Sequence, residues 1–251
     1  MFMRSLALGA VAVLPLALAA NADGEGTASW GGYYIGLNAG QGSADTDTDR
    51  VITNNSYFGG ANLIAVEDES AMSLDEETFT GGAQIGMNWP AGAFVFGFEV
   101  DASGYGNDTS GTSTLEYPGN PGTSFTVTNS LEQTWLATAR LRLGVGNDWF
   151  LAYATGGYAG GDITFTQTFS DTFTPFPTQI VENSEFRSGY SVGGGIEVMI
   201  ESGASIKVEY LYLDLGDIQA NGPIASGTTT SNGTAEVTDQ MIRVGINFQM
   251  N

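Results

Sequence analysis

The chain contains neither cysteine nor histidine. Without cysteine it can form no disulfide framework, no thiolate nucleophile and no cysteine-ligated zinc site. Without histidine, most hydrolytic triads and imidazole metal sites are excluded as well. Positive charge is also scarce, because 7 Lys and Arg stand against 28 Asp and Glu and leave a net charge of −21 over 251 residues. So acidic a chain is a poor partner for nucleic acid.

Proline is scarce too, at 7 residues, whereas glycine reaches 36 residues and aromatic side chains make up 11% of the chain. This is too large a content of bulky apolar side chains for a disordered chain. We therefore expect the chain to fold, as one domain.

The first 22 residues are predicted to be a secretory signal peptide. Arg4 supplies the positive start, an apolar stretch follows from Leu6 to Ala20, and Ala20-Asn21-Ala22 has the A-x-A form of a cleavage site. An uncleaved anchor helix fits less well, because the stretch is short and contains a proline. No later run reaches the ~18 apolar residues that a spanning helix needs, so residues 23–251 could cross a membrane only as strands.

Eight segments alternate with a period of two, which is typical of strands with two different faces. They are Tyr33–Gly40, Thr78–Trp89, Ala93–Ser103, Thr134–Gly144, Trp149–Gly160, Gly189–Ile200, Ser205–Leu215 and Gln240–Met250. Their lengths suit membrane-crossing strands, for which ~9–11 residues are expected.

Short and long connections between these segments alternate. The short ones are Pro90-Ala91-Gly92, Val145–Asp148 and Glu201–Ala204, and the long ones are Gln41–Glu77, Gly104–Gln133, Gly161–Ser188 and Gly216–Asp239. This alternation predicts an all-β fold: an eight-stranded antiparallel up-and-down transmembrane β-barrel with three short periplasmic turns and four long extracellular loops. Four structureless loops of that length count against a compact soluble domain.

Each predicted strand has an apolar and a polar face, and alternation by itself does not say which of them lies inside. The apolar face carries bulky side chains such as Phe96 and Val244. The polar face carries eight charged residues. These are Glu99, Asp101, Arg140, Arg142, Glu197, Lys207, Glu209 and Arg243.

The balance of charge on the polar face favours a membrane barrel. Apart from Arg4 the chain has six basic residues, and four of them lie on this face opposite four acids, although the chain as a whole is strongly acidic. Contact with water would not require such a balance, whereas desolvated charges are tolerated only when they are paired. We therefore predict that the eight residues form an ion-pair network in the lumen. A soluble barrel with a solvated charged face is the alternative.

Aromatic residues lie at the short-turn ends of the predicted strands, where a membrane barrel has an interface girdle. The predicted girdle consists of Trp30, Tyr33, Trp89, Phe94, Trp149, Phe150 and Phe248. A scattered set of core aromatic residues is the alternative.

Six short blocks of the sequence carry a family resemblance. They are Trp30–Gly40 (WGGYYIGLNAG), Val95–Asp101 (VFGFEVD), Arg140–Gly144 (RLRLG), Tyr153–Gly157 (YATGG), Val192–Glu197 (VGGGIE) and Lys207–Tyr212 (KVEYLY). In this order they resemble the opacity-like or "porin family" group of small outer-membrane β-barrels of Gram-negative bacteria, which share the architecture of the OmpA membrane domain.

The last predicted strand resembles the C-terminal assembly signal of outer-membrane barrels. The residues that carry this resemblance are Arg243, Gly245, Phe248 and Met250. The resemblance implies recognition by the barrel-assembly machinery. The family usually ends on an aromatic residue, whereas this chain ends Met250-Asn251.

The resemblance implies a location in the bacterial outer membrane and contact with its lipid and lipopolysaccharide. We expect a non-enzymatic, envelope-stabilising surface protein, with a lumen plugged by ion pairs and acidic loops that are available to a host or surface ligand. The alternative is a narrow porin-like channel for small solutes or ions, gated by the lumen charges. A lipid-modifying or proteolytic barrel enzyme is disfavoured, because such sites typically rely on histidine.

No cofactor is predicted, with loosely bound Ca²⁺ or Mg²⁺ at the acidic loops left open. Nine acids lie between Asp45 and Glu77, and beside anionic lipopolysaccharide they should cause repulsion unless a divalent cation bridges the two. The run Asp45–Asp49 is similar to the start of a calcium-binding loop. However, Arg50 replaces the required glycine, and Ser56 stands where a bidentate glutamate is needed.

Overall fold

The computed structural model describes residues 30–173, 178–201, 203–225 and 228–250. Within them the elements are β1 (Gly32–Thr53), α1 (Gly60–Ser70), β2 (Met72–Ala91), β3 (Phe94–Glu116), β4 (Ser124–Gly146), β5 (Phe150–Asp171), β6 (Gln179–Glu201), β7 (Ala204–Pro223) and β8 (Thr230–Met250). Each strand pairs antiparallel with its neighbours in sequence, and β8 pairs with β1 to close the ring. The predicted eight-stranded up-and-down barrel is confirmed. The predicted signal peptide, residues 1–22, lies outside the described residues.

Tight turns join β2 to β3, β4 to β5 and β6 to β7 at one end of the barrel, which we call the turn end. Gly92 in the first turn and Gly203 in the third have φ values of 65° and 91°, a backbone region that favours glycine. The opposite end, where the longer connections lie, is the loop end.

The connections at the loop end are much shorter than predicted, because the strands continue through most of the segments expected to be loops. Residues 54–71, which contain α1, join β1 to β2, and residues 117–123 join β3 to β4; β6 begins at Gln179 after β5 ends at Asp171, and β8 begins at Thr230 after β7 ends at Pro223.

The strands are longer than a membrane crossing requires. At about 3.3 Å per residue and a tilt of about 45°, a strand of 22 residues such as β1 rises about 50 Å along the barrel axis. This is twice the ~25 Å apolar band of a membrane barrel. Half of each strand is therefore not needed to cross a membrane.

The two faces of the strands exchange roles half way along the barrel. In the turn-end half, Phe96 and Val244 point outward, at 51% and 54% exposure, and charged residues point inward. In the loop-end half most outward residues are polar, as Thr166 is, although Val51 and Ile180 are exposed as well, whereas Phe165 and Val237 are fully buried inside. The turn-end half is thus suited to hydrocarbon and the loop-end half to water.

We call the outward apolar surface of the turn-end half the apolar belt. It includes Ile35, Leu37, Ile85, Phe96, Phe98, Leu141, Leu143, Val192, Ile196, Val208 and Val244. Beyond it toward the loop end, β1 carries Asp45, Asp47 and Asp49 on its outward face. These acids could not lie in hydrocarbon, so they fix where the belt ends.

The ring of backbone hydrogen bonds opens at two places in the loop-end half. Within the described residues, the β2–β3 ladder stops at Thr80 and Tyr105, although both strands continue. The β6–β7 ladder likewise stops at Tyr190 and Asp214. The remaining ladders reach the loop end, so this half consists of two facing four-stranded sheets, β7-β8-β1-β2 and β3-β4-β5-β6.

Side chains fill the space between the two sheets. A middle cluster surrounds the barrel axis, and its bulky members are Tyr105, Leu131, Leu136, Ile163, Phe165, Leu211, Leu213, Leu215, Ile218, Val237 and Met241. A loop-end cluster closes the top beneath α1, with Ile52, Phe58, Val66, Tyr117, Phe125, Val127, Phe169 and Ile224. Both clusters are apolar cores of the ordinary soluble kind.

Candidate functional site

The eight charged residues that the sequence analysis singled out lie together inside the turn-end half of the barrel. Each of the eight side chains is at most 4% exposed. They come from β3, β4, β6, β7 and β8, where the alternating period turns every second side chain inward.

Arg140 is the centre of this network. Its Nη2 donates to Glu99 Oε1 at 2.6 Å and to Asp101 Oδ2 at 2.9 Å, and its Nη1 donates to Glu209 Oε1 at 3.0 Å. Its Nε donates to the hydroxyl of Thr138, which in turn donates to Asp101. One guanidinium therefore joins three carboxylates of two strands, and all of its nitrogens are satisfied.

Lys207 and Arg243 complete the same group of charges. Lys207 Nζ donates to both carboxylate oxygens of Glu99 at 2.9 Å and lies 3.8 Å from Glu209 Oε2. Arg243 donates to Asp101 Oδ1 at 2.8 Å and to Glu209 Oε2 at 2.6 Å. Three cations and three acids thus share their partners across the lumen.

Arg142 and Glu197 form the fourth pair, which lies closer to the turn end. Arg142 Nη2 donates to Glu197 Oε2 at 2.6 Å, and its guanidinium carbon lies 3.9 Å from the ring centroid of Tyr153. Its Nη1 donates to the hydroxyl of Tyr34, which donates to Glu99 and so connects this pair to the main network. Ser205 and Asn247 donate to the other oxygen of Glu197.

Trp30 corrects one part of the predicted girdle. It is 1% exposed and packs inside the turn end with Val95, Leu151 and Tyr153, and its Nε1 donates to the backbone oxygen of Asn147 at 2.6 Å. Because its indole has a partner there and lies under the network, Trp30 closes the lumen instead of facing lipid. Tyr33, Trp89, Phe94, Trp149 and Phe248 do point outward near the turn end, at 47–57% exposure, and Phe150 is partly exposed.

A second set of outward aromatic residues, which the sequence analysis did not single out, lies where the apolar belt ends toward the loop end. It comprises Phe79, Trp135, Tyr158, Phe186, Tyr190 and Tyr212. Trp135 stacks on Phe186 with ring centroids 6.0 Å apart, and its Nε1 donates to Asp162 at 3.0 Å. An apolar ring with a hydrogen bond to a polar group suits a membrane interface. Five of the six lie near the loop-end ends of predicted strands, where the sequence analysis looked for no girdle, and Phe186 lies in a segment expected to be a loop.

The residues of the predicted assembly signal lie on both faces of β8. Arg243 and Gly245 face the lumen, where a Cβ on Gly245 would come within 3.1 Å of the Lys207 side chain. Phe248 and Met250 face outward, at 47% and 44% exposure. Recognition of this strand by the assembly machinery stays a prediction.

The acidic segment of β1 does not form the calcium-like loop. Asp45, Asp47 and Asp49 alternate along a strand, with Thr46 and Thr48 buried between them, so these carboxylates cannot converge on one ion. Asp45 lies beside Asp75 of β2, and burial, a shared hydrogen bond and the charge of Asp75 together raise the pKa of Asp45. Among the described residues, no group of three or more acids is arranged to hold a metal ion.

Two buried charges in the loop-end half were not anticipated, and neither belongs to the network. Arg50 is 2% exposed, and its Nε and Nη1 have no hydrogen-bond partner; burial lowers its pKa to about 10. Asp239 is fully buried in the middle of the barrel, and burial raises its pKa to about 7 against the opposing hydrogen bonds from Tyr105 and Gln133. Both sit in segments that the sequence analysis assigned to loops, where a charge is expected to be solvated.

Sequence comparison identifies the family. The family described as "Outer membrane protein beta-barrel domain" matches residues 5–249. This chain belongs to that family. The 31 kDa outer-membrane immunogenic protein of Brucella melitensis is 30% identical over 237 residues, which cover 89% of this chain and 85% of that protein. A 22 kDa outer membrane protein of Rhizobium leguminosarum is 30% identical over 160 residues, 63% of this chain and 62% of that protein.

Solved structures with a related shape are more distant. OprG of Pseudomonas aeruginosa has a TM-score of 0.46 and 14% identity, with 88% of this chain and 97% of that chain covered. The outer membrane protease OmpT of Escherichia coli has a TM-score of 0.45 and 11% identity, with 87% and 96% covered. Likeness at this level says nothing of activity.

Family and fold together give the location of the protein. It is an outer-membrane β-barrel protein of the Gram-negative type, and its apolar belt faces lipid. No helix among the described residues has the length and apolar character to span a membrane.

Proposed function

We propose that this outer-membrane barrel is a non-enzymatic, envelope-stabilising surface protein. The observation that carries the proposal is an interior filled along its whole length. From the turn end upward, the Trp30 cluster, the ion-pair network, the middle cluster and the loop-end cluster follow one another. Eight strands leave an interior that side chains can just fill, and here both polar and apolar residues do so.

The loop end is the surface that such a protein would present to its surroundings. Its outward residues are mostly Thr, Ser, Asn and acids, and it stands well beyond the apolar belt. Relatives in Brucella are named outer-membrane immunogenic proteins, which supports an exposed loop end. A host or surface ligand that contacts this end remains part of the proposal.

A narrow channel gated by the lumen charges is the second candidate. It is favoured by the shared partners in the network, because Arg140 contacts three carboxylates and could exchange between them. The two apolar clusters above the network oppose it, since they would have to part before an ion could pass.

Planar-bilayer recording of the purified full-length protein distinguishes the two functions. Heat-modifiable gel migration first establishes that the barrel in the sample is folded. Protease treatment of the lipid vesicles that deliver the protein to the bilayer establishes that it is inserted. We expect silence or rare brief openings. A steady, ion-selective current from folded, inserted protein would overturn the proposal in favour of the channel.

The acids beyond the belt support a further part of the proposal, contact with lipopolysaccharide through bridging Mg²⁺ or Ca²⁺. Asp45, Asp47 and Glu236 lie on adjacent strands on the outward face, where anionic headgroups would repel them without a cation. We expect chelation to reduce association with lipopolysaccharide and the unfolding temperature of the barrel in lipopolysaccharide-containing vesicles. Unchanged values after chelation would contradict the bridge.

A further inference from the structure

Asp239 differs from every other buried carboxylate described in the structure. Glu99, Asp101, Glu197 and Glu209 each have a cationic partner within 3.0 Å. Asp239 is equally buried, at 0% exposure, but no Lys or Arg lies within ion-pair distance of it among the described residues. A buried charge without a partner is costly, so either a bound proton or a cation that is not a side chain should compensate it.

The hydrogen bonds to Asp239 come from the opposite sheet. Tyr105 of β3 donates its hydroxyl to Oδ1 at 3.0 Å, and Gln133 of β4 approaches Oδ2 with Nε2 at 3.5 Å. The second contact is long for a hydrogen bond. The carboxylate therefore has one good neutral donor, where the network carboxylates have several donors that include cations.

Buried polar atoms without partners lie on the strands that face or adjoin this carboxylate. Gln133 Oε1 has no hydrogen-bond partner, and neither Oδ1 nor Nδ2 of Asn107 has one; Asn107 faces Gln133 in the β3–β4 register. Both side chains are at most 1% exposed. The hydroxyls of Thr46 and Thr80, on β1 and β2, are also buried and unpartnered. Buried polar atoms are nearly always satisfied in native proteins, so several together indicate a missing ligand.

The backbone is irregular at the same level. The β3–β4 ladder shifts register between Gly104 and Asn107, and the β4–β5 ladder shifts between Gln133 and Ala137. An extra residue in a strand redirects the side chains that follow it. Here the shifts occur where Asn107 and Gln133 turn their amides toward the axis, inside an otherwise apolar cluster.

We propose that Asp239, Gln133, Asn107 and Tyr105 form a binding site for one small monovalent cation of the sodium type. The available atoms are all hard oxygen donors: one carboxylate, two amide carbonyl oxygens and a phenol oxygen. Hard cations without a preference for nitrogen or sulfur ligands are held by such sets. The cation would sit between the two sheets and join them at the point where the ring of backbone hydrogen bonds opens.

The charge of the site selects a monovalent ion. The middle cluster around it is apolar, so a neutral complex is favoured over a charged one. One carboxylate neutralises one positive charge, whereas a divalent cation would leave a net charge buried. At pH 8, where Asp239 is ionised, water alone would satisfy the amides but would leave the carboxylate charge without compensation.

Thermal unfolding of the full-length protein in detergent at pH 8 tests the site. The unfolding temperature is measured in NaCl and in N-methyl-D-glucamine chloride at equal ionic strength, so that screening of the ion-pair network is the same in both. A ligand that binds only the folded state raises its stability with concentration. We expect the unfolding temperature to rise by several degrees in Na⁺ and the rise to saturate.

Three variants sharpen the experiment. Asp239→Asn removes the charged ligand, and Asn107→Leu replaces an amide ligand by a side chain that suits the apolar surroundings. Asp108→Asn is the matched control, since it removes an exposed acid next to Asn107 on β3. We expect the response to Na⁺ to be lost in the first two variants and kept in the control.

A second readout does not depend on the variants folding. The ²³Na NMR line of a NaCl solution should broaden with folded wild-type protein and sharpen again on heat unfolding. A response to Na⁺ that is equal in wild type and Asp239→Asn, or no response in either measurement, would overturn the site. Stabilisation by CaCl₂ that exceeds the effect of NaCl at equal ionic strength and is lost in Asp239→Asn would overturn the choice of a monovalent ion.

Discussion

Arg140 shows how much depends on single residues in this lumen. Its guanidinium contacts Glu99, Asp101 and Glu209, and none of these groups reaches water. If one of these partners is removed, water cannot solvate the charges that remain. Charges in the loop-end half behave differently, because most of them lie on the outward face.

Loss of Arg140 should therefore cost far more than loss of an exposed acid. We expect Arg140→Ala to lower the free energy of unfolding by about 3–5 kcal/mol, because three carboxylates lose a buried partner. Asp108→Ala, at an exposed position of β3, should change it by about 0–1 kcal/mol. Urea unfolding midpoints in detergent measure both, and equal midpoints would contradict the prediction.

Arg50 should behave in the opposite way. Its buried guanidinium lacks partners for Nε and Nη1, so Arg50→Met removes an uncompensated charge and keeps most of the side-chain volume. We expect the free energy of unfolding to rise by about 1–3 kcal/mol. Arg187→Met, at a partly exposed ion pair with Glu185, is the control and should change it by about 0–1 kcal/mol. A less stable Arg50→Met protein would show that this cation has a counter-charge.

Asp45 should give the barrel a stability that depends on pH. Its pKa is raised in the folded state by burial and by Asp75, so the folded protein loses stability as pH rises through that pKa. Asp45→Asn removes the repulsion. We expect the variant to unfold at a higher temperature than wild type at pH 7–8 and the difference to vanish below about pH 3, where this carboxyl is protonated even in the unfolded chain. A difference that is independent of pH would refute this account.

At the scale of the strands, the exchange of faces explains why the loop-end half of each strand was predicted to be a loop. The predicted strands have bulky apolar residues on their outward face, and the loop-end halves do not. In Ser124–Glu132 of β4 and Asp162–Thr168 of β5, threonine and serine alternate with apolar residues, but here the bulky residues face inward. The period of two is present in both halves. What changes is the solvent outside the barrel, and with it the face that carries the apolar residues.

The inward apolar residues of the loop-end half should behave as an ordinary core. Phe165 is fully buried in the middle cluster, so Phe165→Ala should lower the free energy of unfolding by about 3–5 kcal/mol. Thr166→Ala, on the outward face of the same strand, should change it by less than about 0.5 kcal/mol. Similar effects of the two changes, measured by chemical unfolding in detergent, would mean that this part of β5 is not packed as described.

At the scale of the whole molecule, the barrel is a membrane protein at one end and a two-sheet soluble domain at the other. The apolar belt accounts for about half of its height, and the remainder stands in water with its own core. Only the belt is tied to the bilayer. In the predicted orientation, the protruding half is the part that meets molecules outside the cell.

The absence of native cysteine makes this division directly measurable. In reconstituted vesicles, a membrane-impermeant maleimide should label Thr166→Cys but not Val244→Cys, because the first lies beyond the belt and the second within it. On intact cells, labelling of Thr166→Cys is expected if the loop end is extracellular as predicted. Labelling of Val244→Cys in folded protein would contradict the assignment of the belt.

The class of fold and the eight buried charges could be predicted from the amino-acid sequence. Period-two alternation gives strands, and four cations matched to four acids in a chain of charge −21 can be explained by pairing in a lumen, because unpaired charges do not survive desolvation. The sequence did not reveal the burial of Trp30, the loop-end halves of the strands, or the isolated positions of Arg50 and Asp239. Each of these depends on which side chains meet across the barrel. These contacts join residues that are far apart in the chain. They are set by the register of the strands and by closure of the ring, and neither can be read from the local sequence pattern.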